Sequence, residues 1–214
     1  MLKIQDIQPA QILHTGFSIG KFKMPDLYVD NLNKDFDNLL KRNATNNWND
    51  HLAGQIKKEW EITPYLNKTV LEFFGSCAKS YVDGVCSRGK RFGYRIELNS
   101  CWFNDQLQHE YNPAHVHYGN HPVGISSVLF LKVPEAIKKA TSVNKYEQPK
   151  DGRLEFLASS ENPFCQNSYV LTPEPGDLYI FPYDLPHTVY PFNGEGVRRS
   201  LSFNADVIIG QKNG

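Results

Sequence analysis

Histidines are the residues of this 214-residue chain most suited to chemistry. Four of the seven histidines fall within thirteen residues, at His109, His115, His117 and His121. In a β-strand, residues two apart project from the same face, so the rings of His115 and His117 would converge. Neutral imidazole is a good ligand for iron, zinc or copper. The pair therefore predicts part of a metal site.

A fifth histidine can reach the same site from a distant part of the chain. His187 follows a turn at Pro175–Asp177 and an apolar strand at Leu178–Phe181, and prolines stand close before it. A turn and prolines placed in this way hold a side chain rigidly at the end of a strand. The alternative is that His187 only caps a turn through a structural hydrogen bond.

The last strand predicted from the sequence carries polar groups on one face. Polar residues alternate there with apolar ones, in the order Arg198, Ser200, Leu201, Ser202, Phe203 and Asn204. A polar face of this kind can simply be solvated. If it points inward, Arg198 and Ser200 form a carboxylate clamp, because a guanidinium engages both oxygens and the hydroxyl adds a third bond.

Taken in this order, these elements resemble the Fe(II)- and 2-oxoglutarate-dependent oxygenases, and within them a family found in bacteria and marine phages. The matching segments are Trp102–Asn104, Asn112–His117, Ser126–Pro134, Gly176–His187 and Arg198–Asn204. The resemblance covers roughly the C-terminal half of the chain, and the eleven-residue step from His187 to Arg198 fits the superfamily.

The resemblance implies a mainly β fold, namely a double-stranded β-helix (a jelly-roll or cupin-like barrel) with supporting N-terminal helices. It implies Fe(II) bound by His115, His117 and His187. With these three histidines, Arg198 would be the fourth catalytic residue, and it would pair with the distal carboxylate of the co-substrate 2-oxoglutarate. Ser200 would hydrogen-bond the same carboxylate, and Asn104 would also contact the co-substrate. The chain would then be a dioxygenase that hydroxylates an organic substrate, such as a peptidyl or free amino-acid side chain, proline included.

One position departs from the superfamily pattern. Most members carry Asp or Glu two residues after the first histidine, and this chain has His117 there. A third neutral imidazole leaves the iron with more net positive charge than a carboxylate would. His121 can replace His117 if residues 118–120 turn back, but the i, i+2 geometry needs no rearrangement, so we favour His117. Asp184 and His109 are expected at the surface.

Two other functions fit part of the pattern. A cupin-type dioxygenase or isomerase without 2-oxoglutarate would use the same histidine pair, with His121 in the usual glutamate position. A non-catalytic barrel could close a structural metal site with four histidines, namely His115, His117, His121 and His187. The pair Arg198 and Ser200 discriminates, because neither alternative needs a carboxylate clamp.

The remaining sequence predicts one domain over residues 1–214, with an N-terminal α/β support at about 1–90 and a metal-binding barrel at about 91–210. Asp35–Arg42 has weak helical character. Thr63 and Pro64 are predicted to start a helix whose apolar stripe runs to Val85. After Gly93 the pattern changes to short strands separated by turns, interrupted by a polar stretch at 136–150.

Charge and composition exclude several classes of protein. Lys+Arg and Asp+Glu both number 23, which argues against a non-specific nucleic-acid binder. No segment approaches the length needed to cross a bilayer, and the first residues lack a secretory signal. The four cysteines are scattered and are expected to be reduced. We therefore expect a cytoplasmic enzyme (in the host cytoplasm if phage-encoded) whose partners are dioxygen and a small-molecule or peptide substrate, without nucleic acid or membrane.

Overall fold

The computed structural model describes residues 11–14, 16–42, 46–48, 54–140, 149–157 and 167–210. Helices within these ranges are α1 (Asp26–Lys41), α2 (Lys68–Val85), α3 (Ser87–Phe92) and α4 (Glu135–Lys138). Strands are β1 (Gln11–His14), β2 (Ser18–Lys23), β3 (Asn46–Asn47), β4 (Glu59–Glu61), β5 (Tyr94–Gln106), β6 (Asn112–His115), β7 (Gly124–Lys132), β8 (Leu154–Leu157), β9 (Ser168–Leu171), β10 (Asp177–Pro182), β11 (His187–Val189) and β12 (Arg198–Ile209).

The strands form two antiparallel sheets of unequal size. The larger has the order β1-β2-β10-β7-β12-β5-β4-β3, and the smaller has the order β6-β11-β8-β9. Strands β5 and β12 pair over almost their full length, from Arg198 against Gln106 to Ile209 against Tyr94. The expectation of a mainly β fold with supporting N-terminal helices is confirmed.

Along the central strands of the larger sheet, neighbouring apolar residues belong to two different core layers, one on each face of the sheet. On β7, Leu129 and Leu131 join the layer beneath α1 and α2, whereas Val128 and Phe130 join the layer between the two sheets. Successive residues of a strand point to opposite faces, so each strand serves both layers. The space between the sheets is therefore lined by one residue in two from each strand.

Helix α2 begins later than the sequence predicts. Thr63 and Pro64 form a short 3-10 turn, and the helix starts at Lys68, where the side chain of Asn67 accepts a hydrogen bond from the Val70 N–H at 3.0 Å. The Thr63 hydroxyl is used elsewhere, since it accepts from the backbone N–H of Cys101 at 2.9 Å. The cap is therefore the asparagine, and the threonine ties the turn to β5.

The sequence predicts a turn at Pro25–Asp26 and shows weak helical character only at Asp35–Arg42. In the structure, helix α1 starts at Asp26, directly after Pro25, and is therefore longer than predicted. Its buried residues are Val29, Leu32 and Phe36, and the ring of Phe36 stacks on Phe103 of β5 at a centroid distance of 4.4 Å. A narrow apolar stripe in a polar segment is weak evidence for a helix by itself, and packing against the sheet stabilises it.

The two short helices, α3 and α4, lie where the sequence predicts a helix end and a polar stretch. Arg88 and Gly89, which the sequence predicts to mark the end of the preceding helix, lie within α3, and α4 stands at the start of the polar stretch 136–150. Residues 141–148, His51 and Cys165 lie outside the described residues. The described cysteines, Cys77, Cys86 and Cys101, are free thiols. Among the described helices, none is both long and apolar enough to span a membrane.

Candidate metal centre and co-substrate cleft

Three imidazoles meet at one end of the smaller sheet. His115 ends β6 and His187 begins β11, and the two are register partners with ring centroids 4.3 Å apart. Strand β6 stops before His117, contrary to the prediction of one strand for both histidines. The backbone N–H of His117 donates to the Tyr183 carbonyl at 2.9 Å, which returns its ring to the others. One ring nitrogen from each histidine lies within 4.8 Å of the other two.

The hydrogen bonds of two of these rings leave their Nε2 atoms available. Nδ1 of His115 donates to the Pro113 carbonyl at 2.7 Å, and Nδ1 of His187 donates to the Leu185 carbonyl at 3.0 Å. A neutral imidazole with its proton on Nδ1 offers a lone pair at Nε2. Burial, and then the neighbouring His115, lower the pKa of His187 to about 3. Burial also lowers the pKa of His115 and of His117, so all three rings are neutral at neutral pH.

The other candidate groups near these histidines lie apart from the cluster. His121 is exposed and lines a separate surface groove with Phe92 and Val123. His109 is exposed in a turn with a φ of 66°, and Asp184 is exposed. The structure therefore places His117, and not His121, beside the other two imidazoles.

Arg198 lies on the inner face of β12 and is buried, with 1% of its surface exposed. Its Cζ stands 4.9 Å from the centroid of the Phe130 ring, and its Nε and Nη2 atoms have no hydrogen-bond partner among the described residues. Burial lowers the pKa of the guanidinium to about 10, which leaves it charged at neutral pH. A buried cation without a partner is costly, so this position favours the binding of an anion.

A cleft joins Arg198 to the three imidazoles, with about 500 Å³ of empty space including its open mouth. Ser200 and Asn104, register partners on β12 and β5, both line it, and the buried Asn104 Oδ1 has no hydrogen-bond partner among the described residues. Other lining residues are Trp102, Asn112, Ser127, Phe181 and Ser202. None of the described lining residues is a carboxylate, so the cleft suits a dianion that reaches from the guanidinium to a metal.

A brace that sequence reasoning missed holds the segment after His117. Asp206 is fully buried, accepts from the Tyr183 hydroxyl at 3.3 Å and accepts from the Asn120 N–H at 3.1 Å. Asn99 donates to the same hydroxyl at 3.0 Å. The sequence does contain a signal for this residue: polar side chains occupy every second position of β12 from Arg198 to Asn204, and Asp206 is the next position in that series.

Residues 100–204 match the model of a family described as "Putative 2OG-Fe(II) oxygenase". The matched segment starts within β5, ends within β12 and contains the three clustered histidines and Arg198. This match confirms, for residues 100–204, the resemblance to the 2OG-Fe(II) oxygenases that the sequence motifs predicted. The predicted class of enzyme, an oxidoreductase of the dioxygenase type, and the predicted Fe(II) and 2-oxoglutarate are thereby confirmed. No match was found among the curated proteins.

Solved structures share the fold at low sequence identity. A prolyl-4-hydroxylase from Pseudomonas putida is 17% identical over 90% of this chain and 92% of that chain, with a TM-score of 0.56. A prolyl hydroxylase from Trichoplax adhaerens, solved with a hypoxia inducible factor peptide fragment, is 12% identical over 92% and 84%, with a TM-score of 0.57. HygX from Streptomyces hygroscopicus, solved with nickel and 2-oxoglutarate, is 11% identical over 90% and 82%, with a TM-score of 0.52. These likenesses confirm the predicted double-stranded β-helix.

Proposed function

We propose that this chain is a dioxygenase that hydroxylates a C–H bond of an organic substrate, with its metal held by His115, His117 and His187. The observation that carries the proposal is the buried guanidinium of Arg198, which shares one cleft with the three imidazoles. Fe(II) and 2-oxoglutarate, when bound, supply the oxidising chemistry, and the protein positions and shields the reacting groups.

The side chains at one end of the cleft would bind 2-oxoglutarate, and those at the other end would bind the metal. Arg198 would bind the distal carboxylate of 2-oxoglutarate, because a desolvated guanidinium makes strong charge-assisted bonds to both oxygens. Ser200 would donate a further bond from its hydroxyl, and Asn104 from its amide nitrogen. At the other end, the Nε2 lone pairs of His115 and His187 would face the metal, since backbone carbonyls hold their Nδ1 protons.

We propose a peptidyl or free amino-acid side chain, with proline as the first candidate, as the substrate. Two exposed tyrosines flank the histidine segment: Tyr111 precedes β6 and is 42% exposed, and Tyr118 follows His117 and is 80% exposed. Aromatic surfaces bind proline-containing segments well. The prolyl hydroxylases among the structures of the same fold support this choice.

A titration of the Fe(II)-loaded protein with 2-oxoglutarate, without oxygen, tests the proposal. We expect a weak visible charge-transfer band in the wild type, no band in His187→Ala, and at least about a tenfold higher 2-oxoglutarate requirement in Arg198→Ala with unchanged Fe(II) affinity. His121→Ala is the matched control and should behave as the wild type. Absence of the band in the wild type, or an unaltered titration in Arg198→Ala, would contradict the proposal.

The substrate is tested separately under air. Free proline and proline-containing peptides are incubated with the loaded enzyme, and succinate formation and the gain of one oxygen in mass are measured. If succinate forms without any hydroxylated product, the proposal of a dioxygenase stands and the proposal of proline as its substrate is wrong.

The cupin-type enzyme and the non-catalytic metal barrel keep the three histidines but give Arg198 no role. Both predict metal binding without a 2-oxoglutarate band. Because a buried guanidinium with no partner destabilises a fold, its presence beside the imidazoles favours the dioxygenase.

A further inference from the structure

Gln106 is a fully buried side chain at the end of β5, on the strand that pairs with Arg198. The two residues are register partners across β5 and β12. Gln106 lies two residues after Asn104, which lines the cleft, so its side chain is on the same face of the larger sheet. Side chains of register partners on one face are neighbours. The amide of Gln106 and the guanidinium of Arg198 therefore occupy neighbouring positions.

Two backbone carbonyls fix the orientation of the Gln106 amide. Its Nε2 donates to the Glu110 carbonyl at 2.6 Å and to the Tyr190 carbonyl at 3.0 Å. A carbonyl oxygen only accepts, so the nitrogen and oxygen of the amide cannot be exchanged without the loss of both bonds. Tyr190 directly follows β11, so the same amide links the larger sheet to the smaller one.

The oxygen of this amide and two nitrogens of Arg198 remain without partners. Oε1 of Gln106 is buried and has no hydrogen-bond partner in the part of the chain that the structure describes, and the same holds for Nε and Nη2 of Arg198. Buried polar groups in proteins are nearly always paired. An acceptor and a donor on neighbouring side chains can satisfy each other through a small rotation of the guanidinium or through one buried water molecule.

The distal carboxylate of a diacid does not use all the donors of Arg198. A guanidinium has five N–H groups, and a carboxylate that binds through both oxygens takes two of them. The ring of Phe130, with its centroid 4.9 Å from Cζ, offers its face to the cation and no lone pair. A further acceptor is needed for the remaining N–H groups. A neutral amide can fill this role without cancelling the positive charge.

We infer that Gln106 is a positioning residue for the co-substrate: in the complex with 2-oxoglutarate, its Oε1 accepts from an N–H group of Arg198 that the distal carboxylate leaves free. The amide fixes the plane of the guanidinium, because its own orientation is fixed by two backbone carbonyls. Since it is neutral, it does not compete with the carboxylate for the charge. The inference rests on the proposed function, which takes Arg198 as the residue that binds the co-substrate.

Binding of two oxo acids to Gln106→Met tests this inference. Methionine keeps the length of the side chain and removes the acceptor. The Fe(II)-loaded protein is titrated by calorimetry, without oxygen, with 2-oxoglutarate and with 2-oxopentanoate, which has the same carbon chain without the distal carboxylate. We expect the Kd for 2-oxoglutarate to rise about tenfold. The Kd for 2-oxopentanoate and the Fe(II) affinity should stay as in the wild type.

Two further variants provide the controls. In an Arg198→Met background, the addition of Gln106→Met should weaken 2-oxoglutarate binding no further, because its effect acts through the guanidinium. Gln108 is exposed, and Gln108→Met should bind 2-oxoglutarate as the wild type does. An unchanged Kd in Gln106→Met, an equal loss for both oxo acids, or a full additional loss in the Arg198→Met background would overturn the inference.

Gln106→Glu keeps the test decisive if the methionine variant fails to fold. Glutamate keeps the shape of the side chain and places a negative charge beside Arg198, where it competes with the co-substrate. The Kd for 2-oxoglutarate should therefore rise, and the Kd for 2-oxopentanoate should not. An unchanged preference between the two oxo acids in Gln106→Glu contradicts the inference.

The outcomes separate this inference from the proposed function. A wild-type chain that does not bind 2-oxoglutarate, or an Arg198→Met variant that binds it as well as the wild type, overturns both. Normal binding in the wild type and a large loss in Arg198→Met, together with unchanged binding in Gln106→Met, overturn only the role of Gln106.

Discussion

Arg198 and Arg199 are consecutive in the chain, and their guanidinium groups lie on opposite faces of the larger sheet. Cζ of Arg198 stands 4.9 Å from the ring of Phe130 in the layer between the sheets, and Cζ of Arg199 stands 5.6 Å from the ring of Phe103 in the layer beneath the helices. Arg199 makes a two-nitrogen contact with Asp105, at 2.6 and 2.7 Å, and a further bond to Asp37 of α1 at 2.7 Å.

The two arginines should therefore respond differently to substitution. Arg199→Ala leaves the buried carboxylate of Asp105 without its cation, and we expect the free energy of unfolding to fall by about 3–5 kcal/mol. Arg198→Met removes an unpartnered buried cation, so the free energy of unfolding should stay unchanged or rise while 2-oxoglutarate affinity falls. Urea unfolding of both variants measures this. Equal destabilisation of the two would make Arg198 a structural residue.

Metal stoichiometry distinguishes His117 from His121. His117→Ala removes one of three converging nitrogens, so bound Fe(II) should drop steeply. His121→Ala changes an exposed ring outside the cluster and should leave Fe(II) binding as in the wild type. Equilibrium dialysis under anaerobic conditions gives both values. Loss of metal in His121→Ala with retention in His117→Ala would reverse the assignment.

Glu59 should make the stability of the fold depend on pH. It is 1% exposed and is the register partner of Asn104, and burial, followed by the charge of Glu110, raises its pKa from 4.5 to about 8. The folded chain therefore binds more protons than the unfolded chain between these values. Its stabilising contribution is complete below pH 4.5 and is lost as pH rises through 8, at up to about 1.4 kcal/mol per pH unit.

The comparison with Glu59→Gln isolates that carboxyl group, because glutamine imitates its protonated form at every pH. Urea unfolding at about pH 5 and about pH 8.5 should show a smaller fall in stability for the variant than for the wild type. Parallel pH profiles in the two proteins would place the titration elsewhere.

Gly119 lies against the brace that supports His117. A Cβ atom there would stand 2.0 Å from Oδ1 of Asp206 and 2.6 Å from Nδ2 of Asn99. Gly119→Ala should therefore displace the segment and weaken Fe(II) binding although it removes no ligand, at a stability cost of about 1–3 kcal/mol. Fe(II) titration and urea unfolding measure the two effects.

Gly75 provides the contrasting substitution. It lies inside α2, where an added Cβ would meet nothing within 4 Å. Gly75→Ala should raise the free energy of unfolding by about 1 kcal/mol, because alanine has the higher helix propensity, and should leave Fe(II) binding unchanged. A loss of metal in this variant would show that the effect at Gly119 is not local.

The candidate site could be predicted from the sequence because its residues follow the two-residue period of strands. Arg198, Ser200 and Asn204 share a face for that reason, and the same period reaches Asp206. What the sequence did not determine is how His117, beyond the end of β6, returns to the cluster. That depends on a backbone hydrogen bond to Tyr183, distant in the chain.

The helices were less predictable from local patterns. More than half of the residues of α1 are Asp, Asn or Lys, and its three buried residues become significant only where Phe36 meets Phe103. Thr63 and Pro64 form a standard helix start in isolation, yet the threonine hydroxyl binds the β5 backbone. In both places a contact between distant residues overrides a local preference.

Because the three clustered histidines are uncharged, a divalent ion there keeps both of its charges, and Arg198 holds another positive charge across the same cleft. A doubly negative co-substrate is then the principal counterion for both ends. Each occupant lowers the electrostatic cost of admitting the other, and thermodynamic reciprocity makes the two affinities rise by one common factor. Iron and diacid should accordingly fill this protein cooperatively.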